Sequence, residues 1–262
     1  MDYAHYQRIR FERRGRVLTL TLQRPDKPAS LNAVDERMHR ELSQLFYDVA
    51  LDDEADVLVI TGDGGAFSSG GDIEWMSRTT EPSATEGKKV LQGLLDLEKP
   101  IIARINGAAI GLGATIALFC DLAYALDDAR IADPHVRVGL VAGDGGAIVW
   151  PALIGAMRAK RYLLTGDAVS GREAAAIGLV NESHPTPEAL DAAVYGMADR
   201  LAHGATRAIR WTKIVSNIAL KQAAQAVMDA SFAYEIHSFK TEDHREAVSA
   251  FLGKRKPAFV GR

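Results

Sequence analysis

The amino-acid sequence predicts an α/β fold with a helical C-terminal portion, and three observations carry that prediction. Two short apolar strand-like runs, DVLVIT (56–61) and IIARIN (101–106), each lead into a glycine-rich loop near a helical stretch. A hairpin-like pair, YQRIRF and VLTLTL, comes before them and is joined through Arg14-Gly15. From about Gly143 onward helical periodicity dominates, so we expect an α/β core over residues 1–195 and a helical region over 196–262.

The elements follow in order. After the hairpin, RPDKPASLNA is a loop punctuated by Pro25 and Pro28. Asn32 is a candidate cap for the next helix, which has Asp35 and Glu36 in its first turn and Met38, Leu42, Leu45, Phe46 and Val49 as its buried stripe. DVLVIT is a strand, GDGGAFSSGGDI a glycine loop, and a helix is expected around Glu86 to Leu97. IIARIN is the next strand, GAAIGLGATIALFCD the second glycine turn with its helix, and LAYAL and ARIA read as two more strands. Strand, glycine loop and helix thus recur without a repeated sequence, which is a repeated architecture only. Thr186-Pro187-Glu188 starts a helix with Leu190, Val194, Met197 and Leu201 on one face. Helices through WTKIVSNIAL and QAAQAVMDASFAYEIHSF follow, and the last helix is capped by Thr241 and closes on Lys254, Arg255 and Lys256 before Pro257.

The bulk composition excludes several classes of function. With 47% hydrophobic and 25% charged residues, the chain is an ordinary globular one. A net charge of −3 leaves no basic excess to replace nucleic-acid counterions, so no nucleic-acid partner is expected. No apolar run reaches the roughly 18 residues that span a bilayer, so no membrane partner is expected. The N-terminus lacks a signal-type apolar stretch and the single Cys120 can form no internal disulfide, which makes the cytoplasm the expectation. Cys120 sits in the apolar run IALFC and reads as a buried thiol. The histidines show no metal-ligand spacing, and no metal is expected.

The glycine turns carry the chemistry. GLGATI has Ile116 at the third glycine position of a dinucleotide fingerprint, no GxxxxGK[ST] occurs, and AFSSG has Ala66 where a nucleophile elbow needs its first glycine. What remains is free backbone N–H groups at the starts of helices, where the dipole favours negative charge. Two such turns brought together make an oxyanion hole.

The same segments carry a resemblance to a known family. In order, RPDKPASLNA, AFSSGGDI, INGAAIGLGATIALFCDLAYA, VGLVAGDGG, LLTGDAVSGREAAAIGLVNE and FLGKRKPAFVGR resemble the crotonase superfamily, also called the enoyl-CoA hydratase/isomerase family, over essentially the whole chain. The resemblance implies a crotonase-type ββα superhelix and assembly through the C-terminal helices into a homotrimer or a dimer of trimers. It also implies an acyl-CoA thioester substrate, with coenzyme A as part of the substrate and no other cofactor. By position it assigns the oxyanion-hole amides to Gly71 and Leu112, and the substrate-binding surface to Lys27, Ala29, Leu31, Ser69, Gly70, Asp72, Thr115, Trp150 and Lys254. Lys27 and Lys254 would approach the coenzyme A phosphates. Lys254 equally suits a helix C-terminus, Asp72 a helix cap, and Trp75 and Trp150 the core.

One departure bears on the reaction. Hydratases of this family carry two glutamates, one to activate water and one to move a proton at the α-carbon, and their positions here hold Thr115 and His135. Asp133 and Asp144 are the nearest carboxylates. We therefore expect His135 and Asp144 to be the catalytic pair, the aspartate orienting the imidazole, with a surface histidine and a helix cap as the plain readings of the two. Enoyl-CoA hydratase/isomerase chemistry is the primary expectation. Thioester hydrolysis, C–C hydrolysis of a keto-acyl-CoA, and acyl-CoA binding without activity stay open, because one oxyanion hole serves them all.

Overall fold

A computed structural model describes residues 1–79 and 82–262. The chain opens with β1 (Ile9–Arg14) and β2 (Val17–Leu22), an antiparallel hairpin in the register Ile9↔Leu22. Helix α1 (Glu36–Ala50) follows, then β3 (Val57–Gly62), β4 (Ala66–Ser68), α2 (Ile73–Met76) and α3 (Ala84–Asp96). Next come β5 (Ile101–Ile105), β6 (Ala108–Ile110), α4 (Leu112–Leu118), β7 (Leu122–Leu126) and β8 (Arg130–Ala132). The second half holds α5 (Gly146–Ile154), α6 (Ala156–Thr165), β9 (Val169–Ser170), α7 (Gly171–Ala176) and β10 (Glu182–His184). It ends with α8 (Pro187–Ala202), α9 (Thr206–Ser216), α10 (Ile218–Ser238) and α11 (Glu242–Leu252).

Two sheets explain the recurring architecture. The larger has the order β1-β2-β3-β5-β7-β10, the smaller β4-β6-β8-β9. β3, β5 and β7 each place a strand in the large sheet, and β4, β6 and β8 each continue into the small one before the chain turns into helix, which is the ββα unit repeated. The corner between sheets is tight: at Gly107 a Cβ would stand 2.1 Å from the Gly65 carbonyl oxygen, so only glycine passes there. The large sheet is covered on both faces, which is why β2, β3 and β5 are buried along almost their whole length and not at alternate positions only. On one face lie α1 and α3, with the predicted stripe Met38, Leu42, Leu45, Phe46 and Val49 buried. On the other, α8 lays Leu190, Val194 and Ala198 against Val17, Val59 and Ile102.

Several boundaries differ from expectation for local reasons. Asp35 caps α1, accepting from the Met38 amide at 2.8 Å. Asn32 is buried in a left-handed conformation, its amide donating to the carbonyls of Asp63 and Ala66, so it fastens a loop instead. The segment WTKIVSNIAL breaks at Asn217, and its end belongs to α10. Helix α11 stops at Leu252, so Lys254 to Lys256 lie beyond it. The division at 195/196 falls inside α8, whose apolar face packs on the large sheet; the helices that leave the sheet begin with α9. Cys120 is buried, and burial raises its thiol pKa far above the ordinary range. Among the described residues no helix is long and apolar enough to cross a membrane.

Candidate active site

Two backbone amides, from separate ββα units, face one cavity. The first is Gly71, just before α2, in a loop tied down by bonds between the Val34 amide and the Gly70 carbonyl (2.8 Å) and between the Asp72 amide and the Val34 carbonyl (3.1 Å). The second is Leu112, the first residue of α4. It follows Gly111, whose φ of 53° and ψ of −123° suit glycine alone and whose own amide donates to the Ala132 carbonyl at 2.9 Å. Among the described residues neither the Gly71 nor the Leu112 amide donates to a protein acceptor. Both line the cavity, so an oxygen placed between them would find two unsatisfied donors and the positive end of α4.

Four side chains form a row beside this turn, and two of them, His135 and Asp144, reach the cavity. The His135 ring lies against Gly111, with Cε1 3.5 Å from where a Cβ would stand. Its Nδ1 is 2.5 Å from Asp133 Oδ1 and its Nε2 3.4 Å from Asp144 Oδ2. Thr115 then donates from Oγ1 to Asp144 Oδ1 at 3.2 Å. Burial pushes the His135 pKa down, but the carboxylates on its two nitrogens outweigh burial and hold it well above 6.5. Burial likewise pushes Asp144 up, and the imidazolium overcomes it and holds the carboxyl below its usual value. His135 is therefore an imidazolium at neutral pH and no free base. Asp133, His135 and Asp144 are near enough to be considered as metal ligands. The carboxylates, however, bracket the ring from opposite nitrogens, a hydrogen-bonded row instead of a convergent coordination sphere.

Glu235 closes the cavity from α10 and was absent from the sequence-based site. Its Cβ sits 2.5 Å from where a side chain on Gly143 would begin, and Ser231, a turn earlier, donates to the Gly143 carbonyl at 2.9 Å. Its Oε2 has no partner among the described residues. Burial, then the negative charge of Asp144 and Asp133, pushes its pKa up to about 8, so at pH 7 it is a neutral acid. The sequence did hold a signal: Met228, Ser231, Phe232, Glu235, Ser238 and Phe239 recur at helical spacing, which sets a carboxyl on an apolar stripe. His39 of α1 and Trp75 of α2 also face the cavity, their rings 5.2 Å apart.

The remaining predicted positions scatter. Thr115 is fully buried behind Asp144 and touches the cavity only through it. Asp72 is buried and caps α2 while pairing with Arg24. Ser69 binds the Ser30 carbonyl, Gly70 is buried with φ 81°, and Ala29 and Leu31 sit on the neighbouring 3-10 turn, Leu31 exposed. Lys27 pairs with Glu74 at 2.9 Å in a depression beside the cavity. Trp150 is not part of the cavity wall: it is 0% exposed and packs on Tyr162, because α5 turns its apolar side into the core. Lys254 is exposed past the end of α11.

Comparison with known proteins agrees with this architecture. The sequence matches the family Enoyl-CoA hydratase/isomerase over residues 12–262. It is 32% identical to a crotonyl-CoA hydratase of Syntrophomonas wolfei, across 98% of this chain and 99% of that one. It is also 32% identical to 1,2-epoxyphenylacetyl-CoA isomerase of Escherichia coli, across 94% and 95%. The crystal structure of an enoyl-CoA hydratase/isomerase from Mycobacterium paratuberculosis superposes with a TM-score of 0.88 at 35% identity, across 94% of this chain and 99% of that one.

Proposed function

The chain belongs to the enoyl-CoA hydratase/isomerase (crotonase) family, and on that premise we propose that it converts an acyl-CoA thioester through an enolate, by hydration or isomerisation of an enoyl-CoA. The observation that supports this reading is that two undirected backbone amides, Gly71 and Leu112, share a cavity with a neutral carboxylic acid, Glu235. The amides take the thioester oxygen as it becomes negative, an interaction worth about 2.7–4 kcal/mol per donor. Glu235 supplies the proton for the α-carbon. Asp144, held from both sides by Thr115 and His135, accepts a hydrogen bond from the reacting water and fixes its direction. The anionic row also keeps Glu235 protonated.

Two further parts belong to the proposal. The Met76 methyl lies 2.1 Å from where a Gly71 Cβ would stand, so a thioester that reaches Gly71 displaces this flexible side chain. Lys27 and Lys254 are the cations offered to the coenzyme A phosphates, and no cofactor beyond the substrate is required. A second reading is hydrolytic C–C cleavage of a keto-acyl-CoA. It is favoured by one observation, that Thr115 and His135 replace both glutamates expected of a hydratase, while enolate departure followed by protonation from Glu235 uses the same groups.

Mass spectrometry of an acyl-CoA panel tests both readings. One water gained by an enoyl-CoA is hydration; an unchanged mass with a shifted retention time is isomerisation. One water gained by a cyclic keto-acyl-CoA is C–C cleavage, and free coenzyme A is thioester hydrolysis. A protein that binds acyl-CoA and converts no member of the panel refutes the enzymatic proposal.

A further inference from the structure

We propose that His39 is the proton acceptor of this site, taking the proton of the attacking water through Nε2. The inference rests on the acyl-CoA reading above and adds to it the one role that reading left vacant.

Water addition needs a group that is deprotonated at neutral pH and basic enough to take a proton. His135 is an imidazolium, because a carboxylate opposes each of its nitrogens. Glu235 is a neutral acid, and Asp144 is a carboxylate whose basicity the imidazolium lowers. Thr115 is a hydroxyl donating to Asp144. Among the titratable groups of the cavity wall this leaves His39 and Glu86, and Glu86 is a half-buried carboxylate already engaged with the Arg40 guanidinium at 3.8 Å.

Geometry then supports His39 positively. It sits in the first turns of α1, and its Nδ1 is 3.2 Å from the Asp35 carbonyl oxygen. A carbonyl only accepts, so Nδ1 carries the hydrogen and Nε2 keeps its lone pair. Nε2 has no protein partner among the described residues, and the ring, seated on Trp75, lines the same cavity as Gly71, Leu112 and Glu235. Burial holds the imidazole below 6.5, opposed by the Asp35 carbonyl and by the charges of Asp144 and Asp35, so it is neutral at pH 7.

The step balances. The water O–H bond breaks and its proton goes to Nε2, making an imidazolium. The hydroxide oxygen bonds to the β-carbon, and the C=C electron pair moves toward the thioester oxygen between Gly71 and Leu112. Glu235 gives its proton to the α-carbon, and the proton on His39 returns to Glu235 through solvent. Acceptor and donor come from α1 and α10, and both line the one cavity.

The test is turnover by wild type, His39→Gln and His39→Ala on the acyl-CoA that wild type converts, with binding of a non-reactive acyl-CoA thioether measured in parallel. The expected result is kcat lowered 10²- to 10⁴-fold in both variants with KM and thioether affinity within threefold. Added imidazole restores part of the activity of His39→Ala alone, and the acid limb of the wild-type pH profile disappears in His39→Gln. A His39→Gln enzyme with kcat within threefold of wild type overturns the proposal while leaving the acyl-CoA reading standing. Loss of kcat without imidazole rescue and with weakened thioether binding also overturns it, by showing a packing role. A wild type that converts no acyl-CoA refutes the underlying reading, and the proposal falls with it.

Discussion

Replacing Glu235 by Gln is expected to change stability by an amount that depends on pH. The carboxyl has a pKa of about 8 in the folded protein against an ordinary 4.5, because the fold buries it beside an anionic row. Since the folded value is raised, the folded state holds a proton that the unfolded state has lost between pH 4.5 and 8. The contribution of this group is thus fully present below 4.5 and declines as pH rises to 8. At about 1.4 kcal/mol per unit, the decline totals ~5 kcal/mol above pH 8 and ~3 kcal/mol at pH 7. Gln is nearly isosteric and has no proton to lose, so its variant lacks the decline. Its amide is buried where Glu235 Oε2 has no partner, which costs about 1–3 kcal/mol at every pH. Glu235→Gln is therefore expected to be less stable than wild type at pH 5 and more stable at pH 9, with a crossing between. The assay is urea unfolding of both proteins from pH 5 to 9 at one protomer concentration, since assembly shifts apparent stability. A stability difference that stays constant within about 0.5 kcal/mol over that range, against the magnitudes above, refutes the argument that burial keeps this carboxyl neutral.

Five further outcomes are expected. The wild-type rate falls on the alkaline side with a midpoint of about 8 as Glu235 ionises, and Asp144→Asn lowers kcat about 10²-fold or more by releasing the held water, both read from pH–rate profiles. Gly111→Ala costs about 1–3 kcal/mol in thermal unfolding and lowers kcat, because a side chain at φ 53° and ψ −123° strains the turn and shifts the Leu112 amide. Lys213→Met removes a buried ammonium that lies 2.8 Å from the partly exposed Asp121 carboxylate and donates to the Lys99 carbonyl, and costs about 1–3 kcal/mol while kcat/KM stays unchanged. Exposed Trp211 (57%), Val215 (66%) and Tyr234 (67%) on α9 and α10 are expected to be covered by assembly, and sedimentation is expected to give a multiple of three of the 28.3 kDa chain.

Periodicity made the elements legible and left their ends to neighbours. The stripe from Met38 to Val49 reads directly as a buried helix face, and Thr186 and Thr241 cap the helices they precede. Asn32 has the chemistry of a cap, yet two distant carbonyls, of Asp63 and Ala66, claim its amide and Asp35 caps α1 instead. Trp150 is large and partly polar, which suits a pocket or a core equally; the packing of α5 onto α6 settles it as core.

The sequence by itself determined the α/β class, the two glycine turns and the absence of glutamate at positions 115 and 135, because these follow from local backbone constraints and residue identity. It also set His135 close to Asp133, two positions apart on one turn. Only the tertiary structure decided the protonation states. Asp144 reaches His135 through a separate loop, Glu235 arrives on a C-terminal helix, and His39 comes from the first helix of the chain. A pKa depends on burial and on charges a few ångströms away, and neither quantity exists until those distant segments meet. Hence the imidazole expected to be a base is held as a cation, and a carboxyl that the sequence-based site lacked is held as a neutral acid.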